Sequence, residues 1–153
     1  MKSISIFTVL ILTCHITFGQ SEKETKKIVE EILAITDKYN ETWETINMFK
    51  VAGFHSDSSF RYYRNMKLSV GSNEEFKKVY PQILKGTKRF TMKVEDPVVQ
   101  VLAKDAALIG FTAIAELITF DDKVLDIGTG AYTYVWKKID GQWKIVHIHE
   151  SAK

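Results

Sequence analysis

Two histidines stand two residues apart in the stretch Trp143-Lys144-Ile145-Val146-His147-Ile148-His149-Glu150. On a strand this spacing puts both imidazoles on one face, where they are candidates for acid–base chemistry or for holding a metal. Simple alternation places that face with Trp143 and Ile145, and puts Ile148 and Glu150 opposite. A metal site would need a third ligand, such as Glu116 or His55, and second-shell partners. The expectation is that the two histidines are packed, hydrogen-bonded residues, with no metal and no other cofactor assigned. Glu116 interrupts the apolar run from Phe111 to Phe120. A carboxylate desolvated there would have a raised pKa and could give or take a proton, unless it faces away from Ala113 and Ala115. Glu116, His147 and His149 are therefore the candidate catalytic groups, and the sequence does not decide whether the chain is an enzyme.

A second constellation is suited to binding. Tyr132, Tyr134 and Trp136 share one face of their strand. With the small Ala113 and Ala115 on the neighbouring strand they could wall a cavity for a small apolar ligand, to which Tyr63 and Glu150 are added. A filled aromatic core satisfies the same pattern. Arg61 and Tyr63 share a face near the middle of the chain, with Arg64 on the other. His55 and Asp57 form a further possible acid–base pair, although an Asp opening a strand also serves as a turn residue.

The elements that must position these residues follow from caps and periodicity. Ser21-x-x-Glu24 reads as a capping box, followed by Ile28, Ile32, Ile35 and Tyr39 at helical spacing. Asn40 is placed to end that helix or start the next. A short second helix around Trp43, Ile46 and Phe49 ends near Gly53. A third begins at Ser72-x-x-Glu75 and closes by Gly86, with Pro81 expected to kink or break it. Strands make up most of the rest: Ser59 to Asn65, Phe90 to Leu102 with a bulge or bend at Asp96-Pro97, Ala106 to Phe120, Val124 to Lys138, and Trp143 to His149. Asp140-Gly141 is a strong hairpin signal before the last. Three helices and a run of long antiparallel strands make an α+β fold. The helices must cover one face of a curved sheet, because neither layer can bury its apolar side alone.

Composition bounds the function. The 153 residues suit one domain, and 45% hydrophobic with 26% charged residues excludes disorder. Lys and Arg number 21 against 19 Asp and Glu. That is too balanced for a nucleic-acid binder working by phosphate neutralisation. One cysteine excludes a disulfide framework. Residues 1–19 read as a secretory signal peptide: Met1-Lys2 starts it, an apolar run from Ile4 to Phe18 follows, and a small-residue cut falls at Gly19/Gln20. The run is too short and too polar for a good membrane span. The expectation is an exported protein with residues 20–153 as a single domain and no transmembrane segment in the mature chain. Lipid attachment at Cys14 is the alternative. Export with cleavage at this point removes the only cysteine, and with it any thiol catalysis.

The ending, W-K-I-V-H-x-H-x-S from Trp143 to Ser151 behind the Asp140-Gly141 hairpin, resembles the SnoaL-like branch of the nuclear transport factor 2-like superfamily. It is similar also to the association domain of calcium/calmodulin-dependent protein kinase. The order of elements agrees over residues 21–151. The resemblance implies a cone, cystatin-like in outline, in which a bent antiparallel sheet wraps N-terminal helices around a cavity. It also implies dimers or larger rings. It does not imply one chemistry, since isomerases, cyclases, dehydratases and non-enzymatic assembly domains share the fold. The arginines that line the cavity in the kinase association domains correspond here to Ala113, Tyr134 and Glu150. The resulting expectation is a homodimer binding a small apolar ligand without assigned catalysis. A cofactor-independent isomerase, cyclase or dehydratase using a pocket carboxylate or histidine is the alternative.

Overall fold

The computed structural model describes residues 21–152, so the expected leader at 1–19 and Cys14 lie outside the described residues. The elements run α1 (Glu22–Glu44), α2 (Met48–Ala52), β1 (Arg61–Arg64), β2 (Lys67–Val70), α3 (Asn73–Ile83), β3 (Thr87–Ala103), β4 (Ala106–Thr119), β5 (Val124–Ile139) and β6 (Gln142–Ala152). Six strands form one curved sheet in the order β2-β1-β6-β5-β4-β3, open between its two edges. The α+β architecture is as expected.

Helix α1 opens on the capping box: Ser21 Oγ accepts from the Glu24 amide at 3.2 Å, and the Glu24 carboxylate accepts from the Ser21 amide at 3.0 Å. Ile28, Ile32 and Tyr39 form its buried stripe against the sheet. The helix does not stop at Asn40 but continues to Glu44, which carries Trp43 onto the same face one turn beyond Tyr39. Helix α3 runs through Pro81 and ends two residues later, so the proline sits in its last turn. One polar clasp fixes α1 to the hairpin joining β5 and β6. Glu31 accepts from the Trp143 indole N–H at 2.7 Å and from Lys138 Nζ at 3.1 Å.

Three features depart from the pattern read in the sequence. The sheet is mixed, because β1 runs parallel to β6, pairing Arg61 with His147 and Arg64 with Glu150. A short strand, β2, follows β1 through a turn in which Asn65 and Met66 both take positive φ, 46° and 66°. The third is a bulge in β6. Val135 pairs with His147 but Trp136 pairs with Ile145, which leaves Val146 as an extra residue. Alternation slips by one there. Trp143 and Ile145 are buried before it, Ile148 and Glu150 after it, and His147 and His149 are turned to the far face. The histidines therefore do not share a face with Trp143 and Ile145.

Candidate ligand pocket

The helix-covered face of the sheet is built from alternate residues of the long strands. Ala107, Ile109 and Phe111 on β4 pair with Trp136, Tyr134 and Tyr132 on β5, Ala113 and Ala115 continue the same face of β4, and Ile148 and Glu150 add to it from β6. At one end Trp136 closes the layer completely, buried and edge-on to Tyr39 at 6.2 Å. At the other end, beside the small side chain of Ala115 and under Tyr80 and Ile83 of α3, lies a cavity of about 120 Å³. Aromatic rings enclose it at steep mutual angles. Trp43 and Tyr80 stand 5.5 Å apart at 76°, Tyr132 and Tyr134 6.4 Å apart at 74°, and Tyr39 and Tyr134 5.5 Å apart at 89°. Gly130 makes room for one of these rings. A Cβ there would stand 2.9 Å from Tyr132 Cε2.

One buried carboxylate faces this cavity. Glu150 lies laterally between Arg64 of β1 and Tyr132 of β5, and each of the two is its register partner. Its Oε1 pairs with Arg64 Nε at 3.1 Å, and its Oε2 accepts from the Tyr62 hydroxyl. The Glu150 side chain is 5% exposed, whereas that of Arg64 is 45% exposed at the mouth of the cavity. Burial, reinforced by the neighbouring Tyr80 phenol and the Glu150 charge, holds the Tyr62 phenol well above its ordinary value. Burial also pushes Tyr80 and Tyr132 up to about 12. All three remain neutral hydroxyls through the physiological range.

A second polar chain reaches the cavity wall from behind. Asn73 donates from Nδ2 to Asp57 at 2.7 Å and to the Ala52 carbonyl at 3.1 Å, so its Oδ1 is free to accept from His55 Nδ1 at 3.1 Å. This sets the His55 tautomer, and Nε2 accepts from the Tyr39 hydroxyl at 3.1 Å. His55 is buried, stacked on Phe60, and burial pushes its pKa down to about 3. His55 and Asp57 thus do not touch; Asn73 stands between them.

Of the residues expected to wall a pocket, Ala115, Tyr132, Tyr134 and Glu150 line this cavity. Ala113 and Trp136 are buried on the same face but belong to the packed core beyond it. Tyr63 is placed differently: it lies on the opposite face of β1 from Tyr62, 37% exposed, its ring 5.5 Å from His147. Glu116 is also on the far face, in a shallow surface depression with Thr91, Lys93 and Ile114, and is not a buried carboxylate. His149 is exposed and bonded to Ser151 at 3.2 Å. Burial, with His149 as a lesser cause, holds His147 below its ordinary pKa. None of the three catalytic candidates reaches the cavity. Among the described residues no three His, Cys, Asp or Glu side chains cluster as a metal site would require.

Tyr62, Arg64, Tyr80 and Trp43 were not expected at this site. Their signals were present in part. Two-residue alternation pairs Tyr62 with Arg64, and four-residue spacing pairs Tyr39 with Trp43 and Phe76 with Tyr80.

Comparison with known proteins agrees with this fold. The family model of the calcium/calmodulin-dependent protein kinase II association domain matches residues 28–153. A Xanthomonas campestris structure described as such an association domain superposes with a TM-score of 0.70 at 25% identity, covering 80% of this chain and 86% of that one. A nuclear transport factor 2-like superfamily protein from Salmonella enterica serovar Typhimurium gives 0.72 at 20% identity, covering 84% and 92%. A Novosphingobium aromaticivorans protein described as a scytalone dehydratase gives 0.75 at 12% identity, covering 87% and 89%. The last two show the fold alone. No curated protein sequence matches. No helix among the described residues is long and apolar enough to cross a membrane. With a family model spanning residues 28–153, nearly all of the folded chain, this chain belongs to the calcium/calmodulin-dependent protein kinase II association domain family.

Proposed function

We propose that this protein is an exported, self-associating domain that holds a small, largely apolar molecule in the cavity between α1, α3 and the sheet. The aromatic cavity of about 120 Å³ carries this reading. It is close to the size at which an engineered apolar cavity of about 150 Å³ takes up benzene. Self-association is supported by the family, and by the outer sheet face, where Tyr63, Leu68 and Ile114 are exposed. Export rests on residues 1–19. Intact mass of secreted protein beginning at Gln20 supports it; a lipid-modified species beginning at Cys14 replaces it with membrane anchoring.

Ala115→Leu tests the cavity reading. The larger side chain fills the space and should abolish uptake of small aromatic probes measured by calorimetry, with the fold retained. Unchanged uptake would sink the reading. Sedimentation at micromolar concentration tests self-association, and a strict monomer contradicts it.

A second reading, proton-transfer catalysis, is favoured by one observation: a buried carboxylate, Glu150, faces the cavity beside the Tyr132 hydroxyl. Under that reading Glu150 replaces Glu116, His147 and His149 as the acid–base group. Pocket-dependent exchange of carbon-bound protons in a bound ketone, lost in Glu150→Gln, would establish it.

A further inference from the structure

We propose that the cavity selects a small organic ammonium group, quaternary or tertiary, over neutral and anionic molecules of the same shape. This rests on the ligand-binding reading above and specifies its chemistry.

The walls are the first reason. A guest among Trp43, Tyr62, Tyr80, Phe90, Tyr132 and Tyr134 is walled by rings set at angles from 31° to 76° to one another, so ring faces are turned to it from more than one direction. Ring faces carry negative quadrupole potential, and an alkylated ammonium is weakly hydrated enough to exchange water for them. The phenols remain neutral hydroxyls, so they offer this potential without themselves ionising.

The second reason is the asymmetry of the one ion pair. Glu150 is 5% exposed and faces the enclosed space, whereas Arg64 is 45% exposed at the mouth, where water screens its charge. The two therefore do not cancel inside. At both Tyr80 and Tyr132 the influence of the Glu150 charge exceeds the opposing influence of Arg64. An anion entering the cavity meets the buried carboxylate; a cation meets the carboxylate and the rings together. The cavity volume suits a trimethylammonium-sized head, and the mouth beside Arg64 and the exposed Ile83 leaves room for a short tail.

The test uses three probes of one shape and different charge on the purified protein: choline, 3,3-dimethylbutan-1-ol and 3,3-dimethylbutanoate, measured by titration calorimetry. Choline should bind about tenfold or more tighter than the neutral alcohol, and tighter than the carboxylate, whose charge lies in the tail. Arg64→Met should tighten choline binding and Glu150→Gln should weaken it. Because Glu150→Gln also disturbs Tyr62 and Arg64, the opposite sign of the Arg64 variant is the safer readout. Equal or tighter binding of the neutral alcohol overturns the ammonium inference and leaves the apolar-ligand reading standing. Tightest binding of the carboxylate overturns it in favour of anion capture at Arg64. Failure of all three probes overturns both.

Discussion

The hydroxyl of Tyr39 donates to Nε2 of His55 at 3.1 Å, joining a ring of the cavity wall to a buried imidazole that Asn73 holds from the other side. Burial keeps that imidazole neutral down to about pH 3, whereas in the unfolded chain it takes a proton near 6.5. Between those values the unfolded state binds more protons, so stability falls as pH drops through this window. The loss is up to about 1.4 kcal/mol per pH unit and levels off below the lower value. Above pH 7 the group contributes no slope. Denaturation midpoints at pH 7, 5.5 and 4.5 measure this. His55→Phe should lower stability at pH 7 and flatten the acid slope; an unaltered slope would show that other groups carry it.

Glu31 ties α1 to the β5–β6 hairpin, and the Trp143 indole N–H is the main cause holding its carboxyl below the usual range. A lowered carboxyl pKa stabilises the fold above the ordinary Glu value, and that contribution disappears as pH falls through the lowered one. Glu31→Ala should cost about 1 kcal/mol at pH 7, since the clasp is partly exposed. Urea denaturation of Glu31→Ala and Trp143→Phe, singly and together, should show the two losses to be less than additive. Strict additivity would mean that the bond seen here contributes nothing.

Gly130 sits beneath the ring of Tyr132, and an added methyl would meet that ring at 2.9 Å. Gly130→Ala should displace Tyr132 and cost about 1–3 kcal/mol of stability. It should also weaken probe binding in the cavity. Tyr132→Phe combined with Gly130→Ala should not restore binding, because the clash is with the ring as well as the hydroxyl. Wild-type binding in Gly130→Ala would show that Tyr132 does not shape the site.

His147→Ala and His149→Ala together should change stability by less than about 1 kcal/mol and leave probe binding unaltered, because both lie on the sheet face away from the cavity. A chelator should not change the melting temperature of the wild type. A drop on chelation that vanishes in the double variant would reinstate a metal role.

The helices and the Asp140-Gly141 turn were legible because their signals are local. The Ser21 and Glu24 side chains meet within one turn, and Asp140 and Gly141 adopt positive φ of 49° and 78°, as the hairpin demands. The parallel placement of β1 beside β6 was not legible, because that pairing joins Tyr62 to residues far along the chain. The face of the histidines was misread for a related reason. Nothing in Ile145-Val146-His147 marks Val146 as the bulged residue, since the bulge is defined by pairing across to Val135 and Trp136. The same slip brings Glu150 to the inner face and turns His147 and His149 away. One extra residue thus exchanged the candidate chemistry of the strand. Part of the cavity was legible in Ala115, Tyr132, Tyr134 and Glu150; the rest comes largely from helix residues, β1 and β3, whose side chains read as ordinary core and surface.

The parallel contact between β1 and β6 also bears on the order of assembly. Tyr62 and Glu150 are 88 residues apart, whereas β3 with β4 and β5 with β6 join near neighbours through short turns. Contacts of such long sequence separation carry a larger closure entropy than local ones. The expected order is that the carboxylate acquires its phenol and its arginine after the hairpins have formed, and that the cavity is completed late. A guest that binds only the completed form draws the folding equilibrium toward it by mass action, by about 2.7 kcal/mol at a hundred times its dissociation constant. In refolding from urea such a guest should leave the first formation of the hairpins untouched and slow the reopening of the β1–β6 seam.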